Sequence, residues 1–256
     1  MAKRVDRVEW LDESGGGADH QRVRGARVGY MWNMLRIGLL AAVAASLAVG
    51  QVAKKANENY QTEQGRAALA KGLGSADRDQ KQRPQELVKA LGIQPGMTVA
   101  DVGTGVGYML PYLSAAVGSQ GKVLAEDIFD DFLGKARAAA EKAGLNNVEF
   151  IKGTEHNANL PAGEVDLILA LDSYHHFNYP QDMLAGFKSA VKPDGRLAIV
   201  EYYKREGAMG GGNSALTHIR LDDADVIKEV ETAGFSLIEE REHIPKSQYI
   251  VWFRLK

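Results

Sequence analysis

Cysteine is absent from the 256 residues. That excludes a disulfide framework, a cysteine nucleophile and any thiolate metal site, and it leaves the compartment open. An excess of either charge is missing too: 31 basic residues stand against 33 acidic ones, a formal net charge of −2. Such a chain has no global field to draw in nucleic acid, and no basic patch interleaved with aromatics stands in for one. No internal repeat is visible. Aromatics are scarce at 7%, whereas apolar residues reach 45%, enough for one good core. Length and composition predict one domain of about 170 residues with an appendage. Neither fixes an oligomeric state.

Long apolar runs are also rare, and the one that occurs lies near the start. Residues 1–33 are polar, with a Ser14-Gly15-Gly16-Gly17 stretch, and read as a tail without stable structure. From Ile37 to Ala53 the chain carries no charge (IGLLAAVAASLAVGQVA). That length is at the short limit of what crosses a bilayer. Residues 34–53 are therefore expected to be a signal peptide or a retained membrane anchor, with an alanine-rich buried helix as the third option. Read from Met34, one basic residue, an apolar core and Ala48-Val49-Gly50 have the layout of an export signal. Membrane association through 34–53 is expected on either of the first two readings. The protein is then exported or membrane-anchored, and cytoplasmic if the segment is neither. Residues 54–83 follow as a polar linker with helical tendency, broken by Gly65, Gly72 and Gly74, and 84–256 form the main domain.

That domain is organised around Asp101-Val-Gly-Thr-Gly-Val-Gly107. An apolar run, Met97 to Ala100, precedes it after a Pro95-Gly96 turn and reads as a buried strand. Behind it, Leu110, Leu113, Ala116 and Val117 keep helical spacing, with Pro111 early enough for a first turn. A glycine loop between a strand and a helix brings backbone N–H groups to a ligand at the helix N-terminus. Gly103 and Gly105 permit the tight turn and close backbone approach, and Gly107 the packing of the helix. A second apolar strand, Lys122 to Asp127, ends on an acid about 20 residues past the loop, where a carboxylate can accept both hydroxyls of a ribose. Strand alternation lets only one of Glu126 and Asp127 face a ligand, and Asp127 is the one expected to do so.

The segments DVGTGVG, VLAEDI, NVEFIKGT, VDLILALDSYHHF and AVKPDGRLAIVEYY, in this order, resemble the class I S-adenosylmethionine-dependent methyltransferases. More narrowly they are similar to the small-molecule branch that includes the quinone-ring methylases. The resemblance runs from about Pro84 to the C-terminus. It implies a three-layer α/β fold with a mostly parallel seven-stranded sheet in the order 3-2-1-4-5-7-6, strand seven antiparallel. It implies S-adenosyl-L-methionine as cofactor, with Asp101 in the position of the family acid before the loop and Gly103, Thr104, Gly105 and Gly107 bordering its methionine part. Asp127 matches the ribose acid, with Ile128 beside it, and Leu171-Asp172 lies where the loop after strand four passes the cofactor. One departure stands out. Where many members place an adenine-contacting Asp after strand three, this chain reads Gly153-Thr154-Glu155, so Thr154 or Glu155 makes that contact or apolar neighbours hold the adenine.

Downstream, alternation of strands and helices is regular. Helices are expected over 130–143, 181–191 and from Asp222 or Asp223 to Ala233, with strands at 148–152, 165–171, 196–202, 235–242 and 249–255. Lys192-Pro-Asp-Gly195 reads as a turn.

The acceptor side carries fewer signals. Asp172-Ser-Tyr-His-His-Phe177 follows strand four, at the carboxyl edge where open sheets bind ligands. His175 or His176 is a candidate base, an orienting group or a structural cap of the loop, and these alternatives stay open. Asp172 and Tyr203 join them as candidate catalytic residues. Tyr174, Phe177 and Tyr202 are candidate aromatic walls, and His218 and Arg220 candidate pocket residues, with Arg220 suited to an anionic acceptor. The glycine-rich loop 204–220 is the candidate lid. Asp172, Asn178 and Glu201 resemble the oxygen ligands of magnesium-dependent catechol-type methylases only loosely, and no metal is expected. The function implied is methyl transfer to an oxygen, nitrogen or carbon nucleophile of a small molecule. The alternative is a non-catalytic cofactor- or nucleotide-binding module of the same fold at the cell envelope.

Overall fold

The computed structural model describes residues 51–75 and 77–256. In chain order these form α1 (Glu63–Leu73), α2 (Arg78–Gln82), α3 (Pro84–Leu91), β1 (Thr98–Val102), α4 (Leu110–Val117), β2 (Lys122–Asp127), α5 (Asp130–Lys142), β3 (Val148–Lys152), β4 (Val165–Leu171), α6 (Pro180–Ala190), β5 (Val191–Tyr202), α7 (Ser214–His218), α8 (Asp223–Thr232), β6 (Phe235–Ile244) and β7 (Gln248–Leu255). Single 3₁₀ turns sit at Glu58–Tyr60 and Tyr174–His176. The strands make one seven-stranded sheet in the order β3-β2-β1-β4-β5-β7-β6, as expected. Pairing is parallel from β3 through β5, and β7 runs antiparallel to both β5 and β6.

Period-two alternation sorts the sheet's side chains into two cores. On one face Ile168 and Ala170 of β4 and Leu197 and Ile199 of β5 pack with Leu184 and Phe187 of α6 and Val226 and Val230 of α8. On the other, Leu167 and Leu169 of β4 and Ala198 and Val200 of β5 share a core with Leu87 of α3, Leu113 of α4 and Ala136 of α5. A strand covered on both sides has no polar face to offer, which is why VDLILAL is almost continuously apolar. Asp166 is the exception, and it accepts hydrogen bonds from Thr98 N–H (2.8 Å) and the Lys192 ammonium (2.7 Å) near the N-terminal end of the sheet.

Several boundaries shift by a residue or two from the sequence reading, and two of the differences have a clear physical cause. The first helix after the glycine loop begins only at Leu110, because Gly105 and Gly107 hold φ of 59° and 83° and keep the chain before it in turns. Lys192-Pro-Asp-Gly195 is an outward excursion within β5 rather than a separate turn before it. Val191 already pairs with Val165, and regular pairing resumes at Leu167 with Arg196. Gly195 is required there, since a Cβ would lie 2.6 Å from Val191 Cγ2 and 2.8 Å from the Val165 carbonyl oxygen. The C-terminal helix starts as expected, with the Asp222 carboxylate accepting from Asp225 N–H at 3.2 Å.

The membrane expectation is corrected. Among the described residues no helix is long and apolar enough to cross a membrane. Residues 1–33 and most of 34–53 lie outside the described residues, while the end of that segment can be seen. Val52 donates its N–H to the Asn178 carbonyl oxygen (3.2 Å), and Ala53 is buried in a turn on the domain. The linker expected over 54–83 is likewise built in, as a 3₁₀ turn and two helices.

Candidate functional site

The carboxyl ends of β1, β2, β4 and β5 open on a cavity of about 350 Å³. Gly103, Thr104 and Gly105 border it from the loop after β1, Asp127 and Ile128 from the end of β2, Thr154 and Glu155 from the end of β3. Leu171, Asp172, His175 and His176 border it from β4 and the turn that follows. Thus eleven of the residues singled out in the sequence meet at one opening. The loop is tight because it has to be. A Cβ on Gly103 would fall 2.6 Å from Ser173 Cβ, and its φ of 75° suits glycine.

Three expected residues stand outside the cavity lining. Asp101 is buried beneath the loop and accepts from the Thr104 hydroxyl at 2.7 Å, so it shapes the loop from below. Gly107 is a packing position, where a Cβ would meet Leu110 Cδ1 at 2.9 Å and Ala136 Cα at 3.1 Å. Tyr203 is buried against Tyr249 (ring centroids 5.2 Å apart) under the Arg205 guanidinium, away from the cavity. Tyr202 lines it instead. Two other candidates are also redirected. The Tyr174 hydroxyl donates to Glu229 Oε1 (2.6 Å), and Arg220 holds both oxygens of Glu229 (2.6 and 2.9 Å), so neither reaches an acceptor.

The acids at the end of β2 do not divide as expected, since both reach the cavity. Asp127 accepts from Gly105 N–H and Phe129 N–H, each at 2.9 Å, and so ties β2 to the glycine loop. Glu126 lies behind Gly103, whose N–H approaches Oε2 at 3.3 Å, while the buried Glu126 Oε1 has no partner. Burial pushes Asp101 and Asp127 each up to about 6, with hydrogen bonds pulling back, and it raises Glu126 too, with Asp127 beside it adding to the rise. Asp172 is held in a left-handed conformation (φ 51°), its carboxylate accepting from the Gln82 and Gln248 amides. Thr154 spends its hydroxyl oxygen on His156 N–H and Asn157 N–H, and Glu155 accepts from Asn178 Nδ2 at 2.9 Å.

Across the cavity stands a group of histidines. The Glu201 carboxylate, at the end of β5 and almost fully buried, lies 2.8 Å from His175 Nδ1 through each oxygen and accepts His175 N–H at 3.1 Å. His175 Nε2 stands 3.2 Å from His218 Nε2. His176 places Nδ1 2.8 Å from Asn57 Oδ1 and sets its ring edge-on to Tyr60, 4.7 Å between centroids. Burial lowers all three imidazoles, His175 and His176 strongly, which favours their neutral forms, with Glu201 opposing the shift at His218. The same burial raises Glu201.

Several lining residues had no sequence signal. Asn57, Tyr60 and Gln61 come from the segment read as linker, as do Leu73, Arg78 and Gln82, and they close the cavity from above. Arg78 donates to the Leu73 carbonyl oxygen (2.7 Å) and lies 4.1 Å above the Tyr108 ring. The sequence hints were the helical tendency of a polar stretch beside the domain and the resemblance, since in folds of this kind such a pre-domain segment often lies over the opening.

The comparisons agree with this geometry. A family model described as a methyltransferase domain matches residues 99–195. The chain is 26% identical over 118 residues to the ubiquinone/menaquinone biosynthesis C-methyltransferase UbiE of Ectopseudomonas mendocina, covering 46% of each chain. It is 28% identical over 184 residues to the S-adenosyl-L-methionine-dependent Diels-Alderase iccD of Talaromyces variabilis, 65% of this chain and 62% of that one. It thus spans about half to three-fifths of the length of these curated relatives. The crystal structure of a SAM-dependent methyltransferase from Aquifex aeolicus superimposes with a TM-score of 0.68 at 32% identity, over 74% of this chain and 98% of that one. With that match over nearly a whole relative, and with the glycine loop, strand-end acids and 3-2-1-4-5-7-6 sheet in place, the chain belongs to the class I S-adenosylmethionine-dependent methyltransferases.

Proposed function

We propose that the protein transfers the methyl group of S-adenosyl-L-methionine to a nucleophile on a small, partly planar acceptor. One observation carries this reading: the glycine loop with its strand-end acids and the Tyr202, Phe177 and histidine wall border a single cavity. The cofactor fits the residues present. Gly103 and Gly105 bring their backbone to the cavity in the left-handed conformation that glycine allows, and the unpartnered Glu126 Oε1 is a buried acceptor in want of a hydroxyl donor. Asp127, which keeps further lone pairs beyond its two backbone bonds, is its partner in holding a ribose. When bound, the cofactor would supply a sulfonium methyl as the electrophile for the acceptor lone pair, with the C–S electrons left on sulfur as a neutral thioether.

The chain's own task is alignment. Asp172, fixed by Gln82 and Gln248, sets the path of the loop after β4. Tyr202, Phe177 and Met209 supply walls for a flat ring. Glu201 accepts the Nδ1 proton of His175 and so turns a lone pair of Nε2 toward His218 and the cavity side of the wall. Holding acceptor and methyl group in line removes most of the entropic barrier, and little acid–base work is needed.

The test is calorimetry with S-adenosylmethionine, followed by incubation with the methyl-labelled cofactor and a metabolite extract. The reading expects saturable binding that weakens about tenfold or more in Asp127→Ala, in line with roughly 1.5–3 kcal/mol for a hydrogen bond to a charged group, and label in a small product. Absence of binding by the folded wild-type protein would overturn it.

A further inference from the structure

The three histidines meet too closely to be only a wall. One ligand nitrogen of each of His175, His176 and His218 lies within 4.8 Å of the other two. They come from different places: His175 and His176 from the turn after β4, His218 from the end of α7. We infer that His175, His176 and His218 form a binding site for a divalent transition metal of the zinc type, with its open coordination position facing the cavity. His175 Nε2 and His218 Nε2 are 3.2 Å apart. Two nitrogens on one tetrahedral ion, each at about 2.0–2.1 Å, stand about 3.3–3.4 Å apart, so this pair is already at ligand spacing.

What surrounds the ring nitrogens supports this assignment. A metal-bound imidazole usually gives its other N–H to a carboxylate or carbonyl oxygen, which fixes the ring and makes the ligand nitrogen more basic. His175 has that partner in Glu201, 2.8 Å from Nδ1 through both oxygens, and His176 has it in Asn57 Oδ1 at 2.8 Å. Each contact commits Nδ1 and leaves Nε2 to the ion. Glu201 also stands directly behind the site, where a bound divalent cation would favour its ionised form and be partly balanced by it. Three neutral nitrogen ligands and no cysteine favour zinc, cobalt, nickel or copper over magnesium or calcium, which take oxygen. All three histidines line the cavity, so the fourth position is open to a ligand from it. That this ligand is a hydroxyl or enol oxygen of the acceptor rests on the methyltransferase reading. The metal site itself does not.

The rival arrangement is a plain hydrogen bond, His218 Nε2–H donating to the His175 lone pair, with no ion. Cobalt(II) separates the two. Full-length protein without a histidine tag is treated with chelator, dialysed and titrated with Co²⁺ alone, reading visible absorption and bound metal per chain. The expected result is saturation at one equivalent with the intense d–d bands of a four- or five-coordinate ion. His218→Ala, at a half-exposed position on a short helix, should abolish it. Asn57→Ala should weaken it about 10- to 100-fold, as loss of a partner to a ligand does. His156→Ala, whose ring stacks on Tyr179 outside the cluster, should leave it intact. Circular dichroism of each variant checks the fold. No saturable uptake by the wild type, or uptake unchanged in His218→Ala, overturns the site. S-adenosylmethionine calorimetry on the same samples keeps the two ideas apart: cobalt bound without cofactor affinity removes the methyltransferase reading and leaves the metal site standing.

Discussion

The two halves of the cavity are built in different ways. The cofactor half rests on segments contiguous in sequence, Asp101 to Gly107 and Lys122 to Ile128, each running directly off the end of a central strand. Its bonds are backbone to carboxylate, such as Gly105 N–H to Asp127. The acceptor half is assembled from Asn57 and Tyr60, the turn at 174–176, Tyr202 and the end of α7, and side chains meet side chains there. A half set by backbone geometry tolerates few shapes of residue. One set by side-chain meetings can change its contents while the frame stays. Variants in the first half should therefore abolish cofactor binding, and variants in the second should alter chemistry while leaving binding alone.

The largest effect is expected from Gly103→Val. Its Cβ would lie 2.6 Å from Ser173 Cβ at a φ that branched residues avoid. A cofactor affinity loss of about 100-fold or more, equivalent to ~2.8 kcal/mol, should appear in calorimetry. An affinity within threefold of wild type would mean that the loop is not the cofactor's seat.

Next is Asp127→Asn, read through pH. Asp127 and Asp101 are both raised to about 6 by burial. Cofactor affinity should thus weaken as pH is lowered from about 7.5 through about 6, since a protonated Asp127 has fewer lone pairs for ribose hydroxyls and no charge for the sulfonium. Stability of the empty protein runs the other way. A raised carboxyl favours the fold when protonated, a contribution complete below its unfolded value of 3.8 and lost as pH rises through about 6. Asp127→Asn should flatten its share of both profiles. Binding titrations and melts across that range decide it, and an unchanged wild-type affinity down to pH 5 would refute the assignment.

His218→Ala sharpens the comparison from the other side. S-adenosylmethionine affinity should stay within about threefold, while transfer to an identified acceptor falls about tenfold or more. Equal losses in both would merge the two halves.

Arg220→Gln should cost stability rather than acceptor affinity. Its partner Glu229 is buried enough, at 19% side-chain exposure, for the lost charged hydrogen bonds to lower Tm, with about 1–3 kcal/mol as the scale. A raised KM for an anionic acceptor with unchanged Tm would restore Arg220 to the pocket. The smallest effect is expected from Tyr203→Phe, which removes a hydroxyl outside the cavity. Rates should stay within about twofold, and a tenfold drop in kcat would return Tyr203 to the chemistry.

Strand ends and glycine turns were legible because their signals are local. VDLILAL is apolar because a strand covered on both faces must be, and a positive φ at Gly103 and Gly105 leaves a mark in the sequence itself. From these follow the strands, the loop and an acid at the end of β2, while the order of the strands in the sheet came from the family resemblance. The choice of Asp127 over Glu126 had no such local signal, and both line the cavity. Alternation describes a regular strand, and at a strand end both side chains can turn into one opening.

Tertiary structure alone decided the rest. Nothing in Asn57-Glu-Asn-Tyr60 marks it as a roof, because polar residues on a short turn look the same over a cavity as in water. Tyr203 and Arg220 carried plausible chemistry but were turned to Tyr249 and Glu229 by packing that spans the sheet and α8. Metal was not expected, since the sequence offered two adjacent histidines and scattered oxygens. The third histidine stands 43 residues from His175 along the chain. A ligand set of that kind has no spacing to recognise, because its distances are fixed by where the sheet ends and a distant loop returns, and only the folded chain contains them.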